Sequence, residues 1–163
     1  MAPAELTEYF TAEKHGGYLL IVLSIAGFFL AAYLWFNRSA FMAMAWPLVV
    51  IGILALAVGL GVGLRTPSQV AALEQGLQTA KTETVASEIK RMERVNKSFR
   101  IIKIVEIALI AIGVLSILVL PVPGTWSAVG LGLLLAASVL LVFDTIAYQR
   151  ALVYTTWLIS MAG

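Results

Sequence analysis

The chain has 163 residues, of which 61% are hydrophobic and 12% charged, with a formal net charge of +2 and a mean hydropathy of +0.96. Soluble domains carry roughly 25% charged residues, so this composition excludes a water-facing globule, and the small net charge gives no reason to expect a nucleic-acid partner. The absence of cysteine removes disulfides, thiolate metal sites and palmitoylation.

In chain order, Glu5, Glu8 and Glu13 precede the first apolar run, Tyr18 to Phe36. A secretory signal starts basic and has a short apolar core. The acidic start and full length predict instead a retained helix over about 17–36. Asn37, Arg38 and Ser39 form a short polar turn before a second span over about 41–64, which ends at Arg65. A third is predicted over 101–120, closed by Pro121, Pro123 and Gly124, and a fourth over about 126–147. No breaker interrupts Ser127 to Met161, so one long helix is predicted, with an extension over 148–163 beyond the hydrocarbon. A break near Asp144 is the alternative. Each span has about the 20 apolar residues that a bilayer core requires. The predicted fold is therefore an all-α, integral membrane four-helix bundle with a cytoplasmic helical hairpin between spans two and three.

That hairpin occupies 65–100. Thr66, Pro67, Ser68 and Gln69 read as a helix start, with Thr66 as N-cap, Pro67 at the first helical position and Gln69 closing a capping box. Apolar residues then recur at Val70, Leu73 and Leu77, and again at Val85, Ile89, Met92, Val95, Phe99 and Ile102. Spacings of three and four make a narrow helical stripe, with a bend expected near Gly76 and residues 79–84. Val85, Ile89, Met92, Val95 and Phe99 are candidates for docking a partner. The alternative is that the arms pack on each other or on the tail of the fourth helix.

Lysine and arginine set the orientation. With four spans, both termini and the hairpin share one side, which holds ten of the eleven basic residues; only Arg38 lies opposite. Both termini are predicted to be cytoplasmic. Trp35, Phe36, Trp46 and Trp126 fall near the outer turns, with Tyr18 and Tyr148 near the inner side, as an aromatic belt does. Aligning Trp46 with Trp126 also matches Gly52 with Gly132, a weak echo of one hairpin in the other.

Lipid gives helices no hydrophobic drive to associate, so small residues that allow close backbone approach hold spans together. Ala55, Gly59 and Gly63 make one such stripe, and Ala128, Gly132 and Ala136 another. They serve internal packing or the seam of a homo-oligomer. Two carboxylates lie within spans, Glu106 and Asp144. An ionised acid at mid-bilayer costs about 2.5–3.5 kcal/mol on the insertion scale, and such residues usually face the bundle with a partner. Lys103 is three residues from Glu106, and Arg150 nearly two turns beyond Asp144. The four form either a proton or cation site or a set of interfacial ion pairs.

Catalytic chemistry finds little support. His15 is the lone histidine, without metal-ligand spacing, and bis-histidine haem is excluded. Ser24, Ser116 and Ser138 lie in spans with no histidine base. The glycines of 59–63 lack the lysine of a phosphate loop. No enzyme activity, metal or cofactor is expected.

The stretches Trp46–Gly52, Arg65–Gln69, Arg91–Val95 and Ile104–Ile107 resemble a group of small bacterial four-span proteins. Similar arginine–threonine–glutamine and arginine–methionine–glutamate stretches flank the excursion in that group. The resemblance implies this fold and a bacterial inner membrane, and it carries no activity. Small proteins of this class resemble immunity or accessory proteins encoded beside a toxin. The expected function is thus a non-enzymatic one, through binding another protein, with protection against a membrane-active toxin or secreted effector as the specific expectation. The alternative is a small channel or transporter for ions, protons or solutes that uses Glu106 and Asp144. The expected partners are the lipid bilayer and either another protein or further copies of this chain.

Overall fold

Four helices carry almost the whole chain in the computed structural model, which describes residues 4–162. They are α1 (Ala4–Phe36), α2 (Ala45–Thr79), α3 (Lys81–Val119) and α4 (Thr125–Ala162), with a single 3-10 turn at Met42–Met44. No strand occurs among the described residues. All four are long and apolar enough to cross a membrane. At about 1.5 Å per residue they run roughly 50–58 Å, well beyond a hydrocarbon layer of about 30 Å. The surplus lies at one end, the charged end, where 4–16, 65–79, 81–100 and 148–162 continue the apolar lengths as helix.

The local chemistry of those turns is explicit. At the far end, α1 closes through Asn37 Nδ2, which donates to the Tyr33 carbonyl at 2.9 Å, and through Arg38 in the left-handed region at φ 47°. Ser127 Oγ ties the other far turn, accepting the Gly124 N–H at 3.0 Å and donating to the Pro121 carbonyl at 2.8 Å. At the charged end, α2 and α3 are separated by one residue, Ala80, with φ −147° and ψ 64°. The adjacent Gly76 leaves room for Thr84, whose Oγ1 would lie 2.6 Å from any Cβ there.

Two expectations are corrected by α2 and α3. Thr66 does not begin a new helix: α2 runs through it, with Pro67 in its interior. Thr66 Oγ1 donates to the Val62 carbonyl at 2.7 Å, so its side chain bonds backward into the turn rather than forward as a cap. An interior proline costs about 3 kcal/mol. The cost is offset because Val70, Leu73 and Leu77 beyond it are seated on a buried core. That core also uses the stripe proposed for docking. Met92 is fully buried, Val85 is buried, and Ile89, Val95 and Phe99 are partly buried against the core. The stripe packs inside the molecule, on segments of α1 and α4, and is not an open surface. The C-terminal segment forms the one long helix expected and not the alternative break, since α4 continues unbroken past Asp144.

The helices pair as two antiparallel hairpins, α1 with α2 and α3 with α4. Glycine sets the closest approach in each. A Cβ on Gly59 would lie 2.7 Å from the Gly17 carbonyl oxygen, and one on Gly113 would lie 2.6 Å from that of Gly130. The hairpins meet each other at both ends. At the far end Gly132 admits Pro47 and the Met44 carbonyl, beside a core of Ala31, Leu34, Met44, Ala45 and Leu48 with Leu131 and Ala136 against it. At the charged end Gly16 lies against Phe143, and the larger core of Leu6, Tyr9, Phe10, Met92, Ala151, Tyr154 and Leu158 follows. Between the two cores the outer faces are apolar: Phe29 is 73% exposed and Leu118 76%.

Of the small residues singled out in the sequence, Gly59 and Gly132 make backbone contacts and Ala128 is fully buried. Ala136 packs on the far core. Ala55 is only half-buried, and Gly63 meets nothing nearer than Tyr18 at 3.7 Å. Gly17, Gly113 and Gly130 belong with the first group. Gly52 and Gly132, matched by the internal echo, do different work: Gly52 faces Phe28 within its own hairpin.

Gly59→Val should lower stability by about 1–3 kcal/mol through overpacking, whereas Gly61→Ala, which meets open space, should be neutral or stabilising. Thermal unfolding of the purified variants in detergent checks both. Equal midpoints for the two would contradict the Gly17–Gly59 contact.

Candidate functional site

Two polar constellations occur, one at the charged end and one within the apolar lengths. The first is built on the buried stripe of α3, where Glu88 falls between Val85 and Met92 and is itself buried. A buried carboxylate must be paired, and Arg91 supplies both bonds: Nε at 2.8 Å and Nη2 at 2.7 Å. Tyr154 OH donates to the same carboxylate at 3.3 Å. Tyr154 stacks on Tyr9 at 4.3 Å, Phe10 stands edge-on to both rings, and the Arg91 guanidinium lies 5.7 Å from the Phe10 ring. Three segments distant in sequence are thereby fastened together.

Burial pushes the Tyr9 hydroxyl well above its ordinary range, with the Glu13 charge adding to it. Burial does the same to Tyr154, with Glu88 second. Burial alone would disfavour the Arg91 charge, but its bonds to Glu88 outweigh that and hold the guanidinium firmly protonated. Neither tyrosine nor Arg91 changes charge near neutral pH. The cluster is a fastener. In sequence, its one signal is an acid at 88 inside an apolar stripe with an arginine three residues on.

The second constellation lies on the seam between α3 and α4. Asn96, Phe99, Lys103 and Glu106 follow one another at spacings of three and four along α3, and Asp144, Tyr148, Ala151 and Thr155 do so along α4. Such spacings put each set on one helix face. The carboxyls of Glu106 and Asp144 are brought together and act directly on each other. Glu106 is 4% exposed, its carboxyl is within hydrogen-bonding reach of that of Asp144, and no other donor among the described residues bonds to its oxygens. Lys103 Nζ stands 4.1 Å from the centroid of the Tyr148 ring, while Phe99 lies 6.0 Å from the same ring. Nearest the charged end, Asn96 Nδ2 donates to Thr155 Oγ1 at 2.9 Å, and Thr155 donates to the Ala151 carbonyl.

Of the four residues expected to form a site, the structure assembles three. Glu106 and Asp144 meet, and Lys103 is close enough to act on Glu106. Arg150 does not join them: six residues from Asp144, it turns to another face of α4 and is exposed. Asn96 and Thr155 are additions that the sequence reading did not assign. His15 sits apart on the exposed face of α1. No group of three His, Asp or Glu side chains able to hold a metal occurs among the described residues.

Because the two tyrosines are held neutral by burial, the fastening should persist up to about pH 10, the unfolded tyrosine value, and weaken above it as ionisation favours the open state. Trp157 stacks on Tyr154 at 5.6 Å and reports on this end alone, since Trp35, Trp46 and Trp126 lie at the other. Its fluorescence should stay constant from pH 6 to about 9.5 and change beyond that. A transition near neutrality would contradict the assignment.

Comparison with protein-family models, with curated proteins and with solved structures gives no match, so the reading of this site rests on its own chemistry.

Proposed function

We propose that the chain is a non-enzymatic, multi-pass protein of a bacterial inner membrane, with both termini and the charged end in the cytoplasm. Its working centre is the Glu106–Asp144 pair, where a proton binds and is released in the course of proton or solute movement. The supporting observation is that Glu106 is buried and within hydrogen-bonding reach of a second acid, Asp144, with no donor to it from outside the pair among the described residues. Ionisable groups inside a bundle are expensive and commonly mark ion or proton pathways. The ion-pair alternative loses its main support, because Arg150 faces away and the Lys103 ammonium stands over an aromatic ring.

Protection against a toxin through a bound partner loses the surface that favoured it, since the α3 stripe is consumed by internal packing. Its remaining surfaces are the two far turns and the lipid-facing sides of the spans, and neither carries a feature that selects a partner. Recovery of a stoichiometric second protein on purification in mild detergent would restore that reading.

In liposomes loaded with a pH-sensitive dye, the wild-type chain should dissipate an imposed pH gradient. Glu106→Gln and Asp144→Asn should each slow it by about 100-fold or more, the scale of losing a positioned acid–base group. Unchanged rates in both variants would sink the proposal. The orientation is tested separately, using the absence of native cysteine. In intact cells, Arg38→Cys should react with a membrane-impermeant maleimide and Gln78→Cys should not. The reverse pattern would overturn the topology.

A further inference from the structure

The α3–α4 seam holds more polar groups than packing two apolar helices requires. Asn96 is 7% exposed, and only its amide group is used: the Oδ1 atom is buried with no donor. Neither oxygen of Glu106 has a donor from outside the Glu106–Asp144 pair among the described residues. The two residues share one face of α3 and lie roughly 15 Å apart along it. Buried acceptors without donors are the groups that ordered water satisfies in proteins. Between them the seam carries Lys103 and the ring of Tyr148, and Thr155 adds a hydroxyl opposite Asn96. Gly16 of α1 lies against Phe143, the residue before Asp144. The charged groups acting on the pair are the two carboxyls themselves and Lys103.

We infer that this seam is the access path between the cytoplasm and the Glu106–Asp144 pair, with water held at Asn96 as its relay and Lys103 as its charge filter. The inference rests on the reading of the pair as a proton site. A proton enters from cytoplasmic water, an O–H bond of each relaying water breaks as the next one forms, and the last O–H forms on a carboxylate of the pair. One positive charge arrives and no electrons are exchanged. The Lys103 ammonium, three residues before Glu106, opposes a metal cation, which must pass whole beside it. A proton is handed on bond by bond and is excluded less. The ligand is accordingly a proton and not sodium or potassium, and access is from the side of the charged end.

The test uses the full chain in dye-loaded liposomes, with sodium or potassium as the other cation. Asn96→Leu removes the relay and should slow proton movement by about tenfold or more, as loss of one buried hydrogen-bonding station would. Asn96→Gln, which keeps the amide, should recover most of it. Lys103→Met should raise the ratio of sodium to proton movement by about tenfold, following removal of a fixed charge beside the path. Wild-type rates in Asn96→Leu, or intact sodium exclusion in Lys103→Met, would overturn the access path. If Asn96→Leu loses helical content, the Lys103→Met result decides alone. Should Glu106→Gln stop proton movement while Asn96→Leu does not, only the path is wrong. Should neither matter, or the wild-type chain pass no protons, the reading of the pair itself falls.

Discussion

Each helix joins about twenty residues of apolar sequence to about fifteen of amphipathic sequence in one uninterrupted helix, α2 carrying Pro67 in its interior. That continuity is the constraint from which the remaining geometry follows. Once Leu6, Tyr9, Phe10, Met92, Ala151, Tyr154 and Leu158 pack at the charged end, the rotation and height of α1, α3 and α4 are set for their entire length. The apolar parts have little packing of their own to choose a register, with their large side chains turned outward. The meeting of Glu106 with Asp144 is thus arranged largely by a core built elsewhere. The Glu88–Arg91 pair fits the same scheme. A buried ion pair adds little net stability compared with apolar packing, but it penalises every arrangement that separates its members, and here it discriminates against rotated registers of α3.

Glycine supplies the complementary half of that scheme. In the apolar lengths the backbone itself is the contact surface, at Gly17 against Gly59 and Gly113 against Gly130. These contacts are short-range and symmetric, so they fix separation well and rotation poorly. Aromatic and ionic contacts at the charged end do the reverse. Neither set would specify the seam alone.

Much of this was legible in the sequence because it depends on composition and period. Four apolar lengths, the helical stripe on α3 and the break before Lys81 follow from spacing. So did the interest of Glu106 and Asp144, since acids in apolar runs stand out. Other features depend on tertiary partners that spacing cannot name. Thr66 and Pro67 have the residues of a helix start, and local chemistry favours that reading. The burial of Val70, Leu73 and Leu77 on a distant core reverses it. The α3 stripe was visible, but its occupant was not, because Leu6, Tyr9 and Phe10 lie in a short N-terminal stretch with no strong period. Arg150 was assigned to Asp144 by proximity along the chain, whereas six residues on a helix place it on another face. Asn96 carried no signal at all: one amide among charged neighbours becomes informative only when its burial is known.

Pro67 has one further implication. Lacking an N–H, it leaves the Gly63 carbonyl without the donor that a continuous helix would provide, and Gly63 itself has almost no side-chain neighbours. The ladder of α2 is therefore weakest at the height where its greasy portion ends, level with the Arg65–Glu13 contact. Below that height α2 is clasped to α1 by Gly59, and above it by the aromatic core. A rod secured at two places and softened between them yields there first, so α2 can flex at that height while both anchorages stay closed.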